Sequence, residues 1–239
     1  MTEEVSKETL VSVSDLTKSY GDLDVLDSVS FSIPEGEVFG ILGPNGVGKT
    51  TLIKILTGQD SPNSGSVSVL GKTPWEEETK VRHEVGILPE KQSPPSYLTP
   101  REFFNYVGMV REIPDESLEE NINKWAEYLS FEEKLDTLCS NLSRGQQQKV
   151  MFTQALLHNP KLVFIDEPVA NLDPLMQERV KEFIMDYSSE GNTIVLSTHH
   201  IEFASELCSK ILSLTSDKAV LLDDNPTADE LIQHFEETW

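Results

Sequence analysis

The residues Gly43–Thr51, reading GPNGVGKTT, have the makings of a cradle for an anion. They satisfy G-x-x-x-x-G-K-[ST] at every fixed position. An apolar run, Val38–Leu42, precedes them, and Thr50–Thr57 follows with apolar Leu52, Ile53, Ile55 and Leu56. That order is strand, glycine-rich loop, helix. Gly43, Gly46 and Gly48 lack a Cβ, so the backbone between them, through Pro44, Asn45 and Val47, can curl and turn successive N–H groups inward. The following helix aims its positive N-terminal end at the same point. Lys49 supplies a mobile charge for outer phosphates; the Thr50 hydroxyl, with Thr51 behind it, suits Mg²⁺. A glycine turn ahead of an ordinary helix, with Lys49 merely solvated, is the competing account, and the flanking strand and helix count against it. The loop implies binding of a nucleoside triphosphate.

A second constellation is LVFIDEP, Leu162–Pro168, a continuous apolar strand ending in two carboxylates. Buried unpaired, Asp166 and Glu167 would be costly. At the carboxyl end of a strand they instead face the crevice where α/β folds place ligands. There Asp166 can hold Mg²⁺, directly or through water, and Glu167 can orient or deprotonate an attacking water. A solvated acidic turn is the plainer alternative.

The elements that must position these groups follow from the apolar pattern. Leu10–Leu16, Val25–Ile33 and Val67–Leu70 read as strands of an antiparallel layer, with turns at Tyr20-Gly21-Asp22, Pro34-Glu35-Gly36 and Ser61–Gly65. Gly58 sits where a helix cap belongs, and Val85–Leu88 is a buried strand candidate. Between Pro89 and Ser140 the pattern turns helical. Thr99-Pro100-Arg101-Glu102 is a capping box, Phe103, Val107 and Val110 follow at helical spacing, and Leu118, Ile122, Trp125 and Leu129 form another stripe. From Leu162 strands alternate with helices again: Asp173-Pro174 opens a helix to about Glu190, then come Ile194–Leu196, Ile201–Leu207, Ile211–Leu214 and Val220–Leu222. Continuous apolar strands alternating with helices predict a parallel sheet covered on both faces. The chain reads as one domain, 1–239, with an α/β core (1–89 and 158–239) and a helical subdomain (90–157).

Composition narrows the partners. Forty-one acidic residues against 19 basic ones give a formal charge of −22 over 239 residues. Such a surface repels nucleic acid and anionic lipid, so Lys49 must attract phosphate locally. Adaptation to a saline cytoplasm and plain acidity are both compatible with it. No apolar run approaches the roughly 20 residues of a membrane span, and MTEEVSKETL has no apolar signal region. A cytoplasmic location is therefore expected. Cys139 and Cys208 sit beside apolar residues without metal-ligand spacing, as buried free thiols would.

Between the two constellations lies LSRGQQQ, Leu142–Gln148, leading into the apolar helical segment Val150–Leu157. With Lys49 before it and Asp166-Glu167 after it, the chain resembles the ATP-binding subunit of ABC transporters over nearly its whole length. The resemblance implies a P-loop NTPase (RecA-like) α/β core with a mostly parallel sheet, an antiparallel β subdomain and a helical insertion. It implies ATP and Mg²⁺ as ligands, and hydrolysis as the reaction. In that family a signature sequence of one subunit closes over ATP held by another, which carries over to Ser143, Arg144, Gly145 and Gln146. A serine cap before a helix would look the same.

By the same resemblance Tyr20 stacks on adenine, Asp173 in ANLDP communicates between sites, and His199 in LSTHH touches the γ-phosphate. His200 matches no family position and reads as a structural surface residue. Two departures stand out. Glu90, in GILPE, replaces the usual glutamine that would help hold metal or water, with Gln92 as the other candidate. Arg144 replaces the first glycine of the signature. The implied partners are a transmembrane permease docking beside Glu90–Phe104 and a second ATPase subunit, identical or similar, at the inner face of the membrane. The features around Leu98–Ile113 resemble exporters of the ABC-2 type. The rival function is an ABC-type ATPase acting on ribosomes or DNA, which the acidic balance and single cassette disfavour.

Overall fold

The computed structural model describes residues 7–169, 174–215, 218–222 and 225–238. Two sheets carry the fold. The first is antiparallel, ordered β2 (Leu23–Pro34), β1 (Thr9–Tyr20), β4 (Ser64–Val69). Its alternating burial, with Val11, Val13, Leu26, Val29, Ile33, Val67 and Val69 inward, is that of a sheet with one face on the core.

The second sheet has six strands in the order β5 (Gly86–Leu88), β6 (Leu162–Asp166), β7 (Thr193–Thr198), β3 (Val38–Leu42), β8 (Lys210–Leu214), β9 (Ala219–Leu222). All neighbours are parallel except β9, which runs antiparallel to β8. Every residue of β3, β6 and β7 is buried, as strands covered on both faces must be. β7 lies between β3 and β6. Its pairing sets Leu42 opposite Thr198 and Asp166 opposite Ser197, so the three strands end almost level. The glycine loop, the two carboxylates and the histidine after β7 therefore emerge at one edge.

α1 (Lys49–Leu56) packs beneath that edge with Leu52, Ile53, Ile55 and Leu56 buried. Each of these side chains contributes about 1.5–3 kcal/mol by leaving water. The helical portion holds α3 (Pro100–Val110), α4 (Asp115–Tyr128) and α5 (Arg144–Leu156). At α3 the capping box forms: Thr99 Oγ1 accepts from the Glu102 amide at 3.2 Å, and the Glu102 carboxylate accepts from the Thr99 amide at 2.8 Å. The phase of α3 differs from the sequence expectation. Phe104, Val107 and Gly108 face inward, Phe103 is half-buried and Val110 is exposed. A 2.3 Å approach between a Cβ built on Gly108 and Leu118 of α4 shows why the small residue turns inward.

α2 (Glu78–Glu84) and α8 (Ala228–Thr238) complete the fold with α6 (Pro174–Ser189) and α7 (Ile201–Leu207). Neither α2 nor α8 is anticipated by the apolar pattern. α2 buries only Val81, and α8 enters through a Thr227–Glu230 capping box that the sequence does display. No helix among the described residues is long and apolar enough to cross a membrane. Cys139 and Cys208 are free and buried, and burial pushes both thiols up, away from reactivity.

Candidate nucleotide site

The glycine loop takes the shape its residues require. Gly48 caps α1 with φ +115°, and a Cβ there would stand 2.9 Å from Val25 Cγ1 and 3.0 Å from the Val25 carbonyl. Gly46 is also left-handed, at φ +84°. Lys49 is buried at the start of α1 and folds back over its own loop. Its Nζ donates to the carbonyls of Gly43 (2.8 Å) and Pro44 (3.1 Å) and stands 3.2 Å from Glu167 Oε1. An ammonium so held faces the space inside the loop without extending into water.

Thr50 Oγ1 donates to Asp166 Oδ2 at 2.8 Å, and Ser197 Oγ, from β7, donates to Asp166 Oδ1. A hydroxyl and a carboxylate oxygen side by side are hard donors of the kind Mg²⁺ takes. Among the described residues no group of three or more His, Cys, Asp or Glu could hold a metal. The donor set therefore fits an ion that completes its shell with phosphate oxygens and water, as Mg²⁺ does.

Glu167 occupies a left-handed conformation, φ +51°, at a cost of order 1 kcal/mol. Ser197 holds it there: the Glu167 amide donates to both the carbonyl and the hydroxyl of Ser197, each at 3.1 Å. Its Oε2 lies 3.0 Å from His199 Nδ1. Its Oε1 is buried and, although ion-paired with Lys49, has no aligned hydrogen-bond donor. A desolvated carboxylate oxygen with unused acceptor capacity is suited to receive a proton from water. His200 stacks beside His199, with ring centroids 4.1 Å apart. Burial, with the neighbouring His199, lowers its pKa, which keeps its ring neutral near pH 7.

Lys49, Thr50, Glu167, His199 and His200 line one cleft of about 700 Å³ together with Tyr20, Asn45, Thr51 and Glu90, and Asp166 lines the cleft next to it. Glu90 also lines this adjoining cleft of about 470 Å³, shared by Gln92, Arg144, Gln147, Asp166 and Glu167. Gln92 lines only the second, so Glu90 is the better placed of the two at the nucleotide cleft. His200, given a surface role in the sequence, lines the nucleotide cleft as well.

The sequence pattern described as ABC transporter matches residues 26–170. The chain belongs to the ABC transporter ATP-binding family. It is 36% identical over 210 residues to an uncharacterized ABC transporter ATP-binding protein of Methanocaldococcus jannaschii, covering 88% of this chain and 76% of that one. It is 32% identical, over 88% of its length, to the Nod factor export ATP-binding protein I of Rhizobium meliloti, and spans 63% of that protein. A solved ATP-binding subunit of an ABC transporter superposes with a TM-score of 0.84 at 29% identity, covering 95% and 94% of the two chains. A Clostridium perfringens subunit, part of the ABC transporter complex cbiONQ, does so at 0.78 and 26%, covering 97% and 93%. As an ABC ATP-binding subunit, the chain is a member of a family of ATPases.

Within this ABC subunit the signature residues stand apart from the nucleotide cleft. Ser143 is exposed and caps α5, its Oγ accepting from the Gln146 amide at 3.3 Å while Gln146 Oε1 accepts from the Ser143 amide at 2.9 Å. Arg144 is exposed on the second cleft. A Cβ on Gly145 would meet nothing within 4 Å. The chain's own packing thus gives no reason for glycine there, although glycine costs a helix about 1 kcal/mol relative to alanine. Asp173 lies outside the described residues. Lys18 and Asp60, which hold Tyr20, were not singled out by any motif.

Proposed function

We propose that this subunit binds Mg-ATP in the Tyr20–His200 cleft and hydrolyses it between two head-to-tail copies, powering a membrane-spanning partner. The convergence of Lys49, Thr50, Asp166, Glu167 and His199, from three separate strand ends, carries this reading. The loop amides and Lys49 bind the phosphates. Magnesium, held by Thr50 and Asp166, would add positive charge against the developing phosphoryl oxygens. Glu167 Oε1 takes the proton of the attacking water, and His199, tied to Oε2, orients that carboxylate and reaches toward the γ-phosphate.

Head-to-tail pairing is supported by Gly145, whose bare backbone nothing in its own chain requires. In the dimer Ser143, Gly145 and Gln146, with the start of α5, close over ATP held by the other copy, and Arg144 adds a cation beside it. The partner is a second copy in a homodimer or a similar ATPase subunit in a heterodimer. A transmembrane permease docks beside Glu90–Phe104, where the second cleft opens and Tyr97 is exposed. Export is the direction favoured, because the rhizobial relatives are named for export. These relatives do not favour the ribosome or DNA reading.

Glu167→Gln tests the mechanism. It should keep ATP bound, lower turnover at least about 100-fold and accumulate ATP-bound dimers on size exclusion. Near-normal hydrolysis would remove Glu167 from its role.

A further inference from the structure

At the outer end of the nucleotide cleft, Tyr20 is held by two groups that no motif contains. Its hydroxyl donates to Asp60 Oδ2 at 2.5 Å. The other oxygen of Asp60 accepts from Lys18 Nζ at 2.7 Å and from the Ser61 amide at 2.7 Å. Lys18 is itself buried, donates also to the Ser61 carbonyl at 2.7 Å, and places its ammonium 4.7 Å from the centroid of the Tyr20 ring. The three side chains form a closed triangle in which every edge is a polar or cation–π contact.

The triangle joins two parts of the site. Lys18 and Tyr20 belong to β1, whereas Asp60 follows directly on α1, the helix whose first residues are Lys49 and Thr50; Gln59 and Asp60 still donate to the Lys54 carbonyl. Tyr20 would otherwise be a half-exposed aromatic at a strand end, free to turn about χ1. Tied at its hydroxyl and backed on one face, it has a single orientation and one open face, and it remains 48% exposed. A planar apolar surface of fixed tilt beside a phosphate loop costs little entropy to stack upon.

We propose that Lys18 and Asp60 are positioning residues for the nucleobase, locking the Tyr20 ring so that its free face receives the purine of the bound triphosphate. The inference rests on the nucleotide reading above, and it concerns the base and not the phosphates. Lys18 does not line the nucleotide cleft: its ammonium is spent on Asp60, Ser61 and the ring.

The test separates base from phosphate. Affinities for Mg-ATP and for Mg-tripolyphosphate, which has no base, are measured on the full chain and on Lys18→Ala, Lys18→Arg, Asp60→Asn, Tyr20→Ala and the Lys18→Ala/Tyr20→Ala double variant. Lys18→Ala and Asp60→Asn should weaken ATP binding roughly tenfold while leaving tripolyphosphate within about twofold. They should raise KM for ATP with kcat held, and Lys18→Arg should restore it. In the Tyr20→Ala background Lys18→Ala should add nothing. Equal weakening of both ligands, unchanged ATP affinity in Asp60→Asn, or full additivity with Tyr20→Ala would overturn the inference. Asp60→Asn preserves shape, so it decides the matter if Lys18→Ala fails to fold. If the parent chain bound tripolyphosphate as tightly as ATP, the base-positioning role would fall and the phosphate-loop reading would stand; if it bound neither, both would fall.

Discussion

Thr50 Oγ1 donates to Asp166 Oδ2 at 2.8 Å across a sequence separation of 116 residues. With Ser197 donating to the other oxygen, the Asp166 carboxylate is held on both sides by the chain's own hydroxyls. Preorganisation of this kind lets a cation enter without first gathering its ligands.

If magnesium binds there as proposed, the requirement for it should depend on charge more than on shape. Asp166→Asn keeps the size of the side chain and can still accept from Thr50. It should bind ATP yet lose on the order of 100-fold in turnover and most of its response to added Mg²⁺. Hydrolysis measured across a magnesium titration, with chelator as the zero point, checks this. An unchanged magnesium response would argue that the ion is held elsewhere.

Lys49→Ala removes an ammonium already fixed over the loop by the Gly43 and Pro44 carbonyls. Nucleotide affinity should fall on the order of 100-fold, the worth of about 2–3 kcal/mol of charge-assisted hydrogen bonding. Fluorescence titration with a labelled ATP analogue reads the change. Affinity within a factor of two of the parent would contradict the assignment of the loop.

A pH effect is expected away from the site. His158 Nε2 lies 2.8 Å from Arg111 Nη1 and accepts a hydrogen bond from it. Burial, and then the charge of Arg111, push the imidazole pKa down to about 3. The folded state therefore keeps His158 neutral where the unfolded chain, near its ordinary value, takes up a proton. Since the unfolded state binds more protons between pH 6.5 and 3, this contribution to stability is flat above pH 6.5 and is lost as pH falls below it. His158→Gln should reduce the stability difference between pH 7.5 and 5.5 by about 1 kcal/mol, read from urea unfolding at the two pH values. An unchanged difference would show that His158 is not kept neutral.

Phe104, on the inward face of α3, is fully buried, its ring edge-on to Phe131 with centroids 6.4 Å apart. Phe104→Ala should destabilise the protein by about 3–5 kcal/mol, whereas Tyr106→Ala, on the exposed side of α3, should cost under 0.5 kcal/mol. Thermal melts of the two variants compare them directly. Equal effects would mean that the phase of α3 is misassigned.

What could be read from the residues alone was local chemistry. GPNGVGKTT carries its conformation in its own glycines, and Gly46 and Gly48 are left-handed as that reading needs. Thr99 with Glu102 and Ser143 with Gln146 each close a capping box within four residues. Where local signals are weak the reading failed. Seven mostly charged residues, ETKVRHE, form α2 around a single inward Val81, and adjacent Phe103 and Phe104 offered no way to choose which turns inward. Lys18 and Asp60 look like any charged surface pair until β1 and the end of α1 are brought together.

The sequence by itself determined the phosphate loop, the Asp166–Glu167 pair, the alternation of strands and helices, and the family. Only the tertiary structure decided that β7 is placed between β3 and β6, so that Ser197 braces Asp166 and Glu167 while His199 meets Glu167 from the next strand end. Strand order is selected by the long-range burial of two-sided apolar strands, which look alike in sequence, and no spacing of residues along the chain encodes which of them lie side by side.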